Sequence, residues 1–208
     1  MRTIGITGGI GSGKSELLAY IQEKYRCQVI RSDETAHELE MPGNVCYKPL
    51  IDLLGNDILN DDGMIDPHIM AQKIFSDKTL LEGVNGIVHP AVREYLLDKI
   101  KSSSLEKDDD GRERYDFLFI EAALLIEERY DLVLDELWYI YAECDVRRKR
   151  LKESREYSDE KIDSIFDRQL SDEKFREKCK VVIDNSGTLL EAYRQIDEKL
   201  GEYLCQTK

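Results

Sequence analysis

The chain has 208 residues, enough to bury the core of one ordinary domain with room for a modest insertion. Its 41% hydrophobic content is that of a globular protein, and its 35% charged content exceeds the usual level of about 25%, which excludes a collagen-like or wholly disordered chain and predicts a heavily charged surface. A formal charge of −13 repels polyphosphate backbones and anionic membranes, so neither nucleic acid nor a membrane is expected as the main partner, and a phosphorylated ligand needs a local positive site.

Taken in chain order, Thr3 to Thr7 is a short apolar segment that runs into glycines, and Leu17, Leu18, Ile21 and Tyr25 then recur at helical spacing, which predicts strand, loop and helix. Gln28 to Arg31 reads as a second strand. The chain from there to about Ser104 has a mostly helical pattern, broken at Pro42-Gly43, Asp61-Asp62-Gly63 and His89-Pro90, with Asp66-Pro67 as a helix entry. Lys101 to Arg114, rich in Ser, Asp, Lys and Glu, is expected as a solvated loop. Beyond it, Asp116 to Ile120, Leu137 to Tyr141 and Val181 to Ile183 are short β-branched and aromatic runs, as parallel strands covered on both faces require, and helical patterns separate them. Thr188 and Glu191 stand at capping-box spacing before a stripe of Leu189, Tyr193, Ile196, Leu200 and Tyr203.

This alternation predicts a parallel α/β sheet in a three-layer α/β/α arrangement, with a helical insertion at about 33–104 between core segments 1–32 and 114–208. The cysteines at 27, 46, 144, 179 and 205 form no C-x-x-C pair and no metal-like cluster with His37, His68 or His89, so reduced thiols are expected rather than zinc or disulfides. The amino terminus has no apolar leader, and the longest apolar run spans only Leu137 to Ala142, so a soluble, cytoplasmic protein is expected. Oligomeric state is not legible.

The strongest chemical signal is Gly8-Gly9-Ile10-Gly11-Ser12-Gly13-Lys14-Ser15, a complete G-x-x-x-x-G-K-[ST] phosphate-binding loop set between a predicted strand and a predicted helix. Its glycines let backbone amides point at phosphate oxygens, and the helix start adds positive potential. Gly9, Ile10, Gly11, Ser12 and Gly13 are the candidate cradle, Lys14 is placed to reach the β and γ phosphates of ATP, and Ser15 to place its hydroxyl on Mg²⁺. Asp33, just past the second strand, reads equally as a general base for an attacking hydroxyl and as a helix cap. Glu121 and Glu127 bracket the segment after the third strand, where a carboxylate can hold Mg²⁺ through water or cap a helix. Thr7 and Glu121, at strand ends, are candidate substrate contacts. Arg147, Arg148, Lys149, Arg150, Lys152 and Arg155 form a basic island in an acidic chain, either a solvated helix face or a segment that closes over a migrating phosphoryl group.

In these residues the chain resembles the dephospho-coenzyme A kinase family of P-loop kinases over nearly its whole length. The shared pieces are Ile6 to Ser15, Val29-Ile30 with Asp33, Pro42-Gly43, Gly55 with Asp62-Gly63, Ile74-Phe75, Asn85 with His89-Pro90, Leu124-Leu125 with Glu127, Gln169, and Val182-Ile183-Asp184-Asn185. The resemblance implies a P-loop NTPase core with a helical acceptor-binding insertion and a lid at about 147–170. It also implies transfer of the γ-phosphoryl group of ATP to the ribose 3′-hydroxyl of dephospho-coenzyme A. Asp33 then becomes the base, Arg150 and Arg155 the lid cations, Asn185 a neighbour of adenine, and His89 and Arg93 acceptor contacts. The chain departs from the family in having Arg31-Ser32-Asp33 for Asp-x-Asp, Ala123 for a proline, and Glu121 for an aspartate. A P-loop kinase with another small acceptor, such as a nucleoside or nucleotide, is the neighbouring reading. A GTPase-like switch is more remote, since no N-K-x-D motif occurs.

Overall fold

The computed structural model describes residues 1–206. They form two compact units, one of Met1–Ile30 together with the chain from Ser103 onward, the other of Arg31–Ser102.

The first unit is built on a five-stranded sheet. Its strands are β1 (Arg2–Thr7), β2 (Cys27–Arg31), β3 (Phe117–Glu121), β4 (Glu136–Tyr141) and β5 (Val181–Asp184), in the order β2-β3-β1-β4-β5. β1 runs parallel to β3, with Ile6 opposite Glu121, and parallel to β4, with Ile6 opposite Trp138, while β4 runs parallel to β5. Parallel strands covered on both faces need unbroken apolar runs, and the central strands supply them: Ile4, Ile6, Phe117, Phe119, Trp138 and Ile140 join one core with Leu17, Leu18 and Ile21. These last three come from α1 (Lys14–Lys24).

The helices of the insertion are α2 (Ser32–Leu39), α3 (Tyr47–Leu54), α4 (Pro67–Phe75) and α5 (Lys78–Leu105). Buried Leu50, Leu54, Ile58, Ile65, Val84, Val88, Val92 and Leu96 make the apolar interior of this second unit. Asp66 caps α4 as its sequence announces, accepting hydrogen bonds from the amides of His68 and Ile69. The expected break at His89-Pro90 does not occur, and α5 continues through Pro90. Val84, Val88, Val92 and Leu96 are buried at four-residue intervals, so one apolar stripe on both sides of the proline holds the helix together despite the lost amide. A side chain at Gly83 would put its Cβ 2.8 Å from Leu53 Cδ2, so that glycine sets the close approach of α5 to α3.

The expected loop at Lys101 to Arg114 is shorter than its composition suggests. Buried Ser103 donates to Gln28 Oε1 at 2.6 Å, which carries α5 on to Leu105. Between β3 and β4 the expected helix is absent, and turns lead instead to a short 3₁₀ segment at Tyr130–Leu132, anchored by buried Leu125 and Tyr130.

After β4 come α6 (Cys144–Arg155), α7 (Asp159–Phe166) and α8 (Asp172–Lys178), and after β5 comes α9 (Leu189–Gln206). The capping box forms as the spacing predicts: the Thr188 amide donates to Glu191 Oε2 at 2.8 Å and the Glu191 amide to Thr188 Oγ1 at 3.3 Å. The buried stripe of α9 is Ala192, Ile196, Leu200 and Tyr203, whereas Leu189 at its start is exposed. α9 lies against α1, where Tyr20 stacks on Tyr193 with ring centroids 3.8 Å apart, and Asp197 accepts from Tyr20, Tyr25 and Lys24 at 2.8, 2.7 and 2.6 Å.

Candidate active site

The glycine-rich loop leaves the end of the central strand and feeds α1, as its sequence context requires. Gly13 is the helix N-cap, with φ 87°, a left-handed conformation that L side chains resist. A Cβ there would also stand 2.4 Å from Asn185 Nδ2.

Lys14 folds back over the loop, donating from Nζ to the Gly8 carbonyl at 2.8 Å and lying 4.0 Å from Glu121 Oε1, at the end of β3. Glu121 therefore faces the loop lysine, while Glu127 is exposed in the turns that follow. Ser15 is exposed in the first turn of α1. Asn185, buried just past β5, donates from Nδ2 to the Ser12 carbonyl at 2.8 Å.

The basic island divides into working and solvated members. Arg150 donates to the Asn185 carbonyl at 2.9 Å and to the Ser12 carbonyl at 3.4 Å, so it grips both sides of the loop. Arg148 and Lys152 instead pair with Asp159, which begins α7. Arg155 ends α6 in an exposed position, and its hydrogen bond holds the Tyr157 phenol below its ordinary pKa.

Nothing in its spacing singles out Arg147 from the basic island, yet it too contacts the loop. Its Nε donates to the Ile10 carbonyl at 2.8 Å, its Nη2 to Gln169 Oε1 at 2.5 Å, and its guanidinium lies 4.2 Å from the centre of the Phe166 ring. Gln169 Oε1 also accepts from the Ile10 amide at 3.3 Å, so that amide is turned toward Gln169. Burial holds the Arg147 pKa below its ordinary value, and no carboxylate among the described residues pairs with it. Gly9 makes this approach possible, since a Cβ on it would lie 2.3 Å from Arg147 Nη2.

Three buried polar atoms around the loop, Thr7 Oγ1, Ser12 Oγ and Asn185 Oδ1, have no hydrogen-bond partner among the described residues. Buried polar groups left unmet cost about 1–3 kcal/mol each, so a polar group arriving here relieves a local deficit. These atoms, the Lys14 ammonium and the two arginines suit a polyphosphate with its counter-cation. The described residues hold no cluster of three or more His, Cys, Asp or Glu side chains able to bind a metal by themselves, so a metal at this loop takes its ligands from a hydroxyl, phosphate and water.

The acceptor-side candidates Asp33, His89 and Arg93 all belong to the second unit. Asp33 is exposed in the first turn of α2, whose N-cap is Arg31 with no side-chain capping bond. The capping role open to Asp33 in the sequence is thus not realised. Arg31 lies 3.8 Å from Glu34. His89 and Arg93 stand one helical turn apart on α5, both partly buried.

Comparison with known proteins finds relatives over nearly the whole chain. A dephospho-CoA kinase from Carboxydothermus hydrogenoformans is 34% identical over 194 residues, 93% of this chain and 90% of that protein. One from Idiomarina loihiensis is 28% identical over 204 residues, 98% of this chain and 96% of the relative. The solved dephospho-CoA kinase from Campylobacter jejuni shares the fold at a TM-score of 0.72 and 18% identity, over 100% of both chains. The dephospho-CoA kinase family matches residues 2–191, and the chain belongs to that family.

Proposed function

We infer that the chain, as a dephospho-CoA kinase, binds ATP in the loop from Gly8 to Ser15 and passes its γ-phosphoryl group to the ribose 3′-hydroxyl of dephospho-coenzyme A. The observation that carries this reading is that Lys14 reaches the Gly8 carbonyl while Arg150 and Asn185 reach that of Ser12, two cations and an amide gathered on a glycine-rich loop in an otherwise acidic protein.

The role of each residue follows from its chemistry. The amides of Gly9, Ile10, Gly11, Ser12 and Gly13 are the candidate cradle, with Ile10 engaged by Gln169 in the ligand-free loop. Lys14 exchanges the Gly8 carbonyl for the β and γ phosphate oxygens. Ser15 would hold Mg²⁺ through its hydroxyl, with Glu121 placed to act through water, and the bound ion would neutralise charge on the β and γ phosphates.

Asp33, exposed in the first turn of α2, accepts the proton of the 3′-hydroxyl as that oxygen bonds to the γ-phosphorus and the bond to ADP breaks. His89 and Arg93 orient the acceptor, and Thr7 completes the polar lining at the end of β1. Arg150 offsets charge on the migrating group, and Arg155, on the exposed end of α6, closes with the segment 147–170 to exclude water, which would otherwise compete as acceptor. No described helix is long and apolar enough to cross a membrane.

The direct test is to incubate the protein with Mg²⁺-ATP and dephospho-coenzyme A and weigh the product. A single added phosphate at the 3′ position, with one ADP released per product, is expected. ADP release that dephospho-coenzyme A does not stimulate would overturn the reading.

A further inference from the structure

The structure assigns to Arg147, braced by Gln169, a positioning role in catalysis: the pair fixes the apex of the phosphate loop through Ile10 and holds beside it a cation whose counter-charge is the bound triphosphate. This rests on the reading of the loop as the ATP phosphate site.

Three independent contacts fix the guanidinium. Its edge meets the Ile10 carbonyl and Gln169 Oε1, and its face meets Phe166, so it has one defined position rather than the many of a solvated arginine. Gln169 receives both the Arg147 donor and the Ile10 amide on one oxygen, which ties loop and arginine into a closed ring. A partly buried cation without a carboxylate partner is costly, and proteins usually supply one. Here the neighbouring arginines Arg148 and Arg176 both have theirs, from Asp159, Asp163 and Asp172. The contrast leaves Arg147, together with Arg150, as a loop cation that no carboxylate among the described residues neutralises, and the group its position serves is the anion of the loop. Gly9 contributes by omission, because its missing side chain is what admits the guanidinium.

The experiment compares Arg147→Met, Arg147→Lys and Gln169→Leu with the unaltered protein by calorimetry with ATP and with adenosine, and by steady-state kinetics. Arg147→Met is expected to weaken ATP binding by about tenfold to a hundredfold, the usual worth of a charge-assisted contact, while adenosine binds as before. Arg147→Lys, which keeps the charge and loses the planar fork, should retain most of the ATP affinity and lose turnover instead. Gln169→Leu combined with Arg147→Met should be no worse than Arg147→Met alone, because the two act as one unit.

Equal losses for ATP and adenosine would show a contact to the base and overturn the assignment, as would full additivity of the two substitutions or unchanged ATP affinity in Arg147→Met. Lys14→Ala, run alongside, separates this inference from its foundation. If that variant binds ATP normally, the phosphate-loop reading itself fails; if it does not, the result for Arg147 stands alone.

Discussion

The phosphate loop and the first turn of α2, to which the proposed function gives the two halves of the chemistry, are built in opposite ways. Loop residues are buried or half-buried and interlocked, with the carbonyls of Gly8, Ile10 and Ser12 held by Lys14, Arg147, Arg150 and Asn185. Asp33 is an exposed carboxylate at a helix start without a side-chain cap. A triphosphate needs many donors fixed in advance, since ordering them on binding would cost affinity. A proton acceptor needs only one oxygen within reach of the hydroxyl. The loop should therefore couple function to stability, and Asp33 should not.

The sharpest break in that contrast would come from Asp33→Asn. It is expected to lower kcat by about two to four orders of magnitude, the range of a positioned base, with ATP affinity and melting temperature unchanged. A fall in melting temperature of the same variant would show that Asp33 supports the fold. Lys14→Ala comes next, with ATP affinity falling about tenfold to a hundredfold together with kcat, read by calorimetry and initial rates. Gly13→Ala tests the loop's structural side. The left-handed φ and the contact with Asn185 predict a loss of about 1–3 kcal/mol in denaturant unfolding, together with weaker nucleotide binding.

The smallest effect concerns the sheet unit away from the site. Burial alone would raise the Asp197 pKa, but hydrogen bonds from Lys24, Tyr25 and Tyr20 outweigh it and hold the carboxyl below its ordinary value. A group depressed in the folded state stabilises above its unfolded pKa, and that contribution is lost as pH falls through the depressed value. Urea midpoints of the unaltered protein should therefore decline on acidification below the ordinary carboxylate range, and Asp197→Asn should flatten that part of the profile.

Much of this could be read directly from local sequence. Strand cores announce themselves as short unbroken apolar runs, and the loop glycines are tied to a backbone shape no other residue adopts easily. Asp66 and Thr188 mark their helix starts because capping is a local interaction. What escaped depends on distant partners. α5 runs through Pro90 because buried valines on both sides hold it, and nothing near the proline says so. The turns after β3 keep a helical apolar pattern but spend it on burying Leu125 and Tyr130. Arg147 looked like one more charge in a basic run, since its partners Ile10 and Gln169 lie 137 residues before it and 22 after it. Only the missing carboxylate partner, visible in three dimensions, sets it apart from Arg148.

The span between Ser12 and Asn185 is 173 residues, so the cradle joins the turn after β1 to the residue just past β5. During synthesis the glycine segment emerges long before β5, so the Asn185 contact on the Ser12 carbonyl forms late, whereas Lys14 can reach the Gly8 carbonyl at once. A nascent chain stalled before β5 therefore carries the whole motif without the Asn185 contact on it. A ligand that binds the assembled loop more tightly than the unassembled one would draw this late step of folding forward.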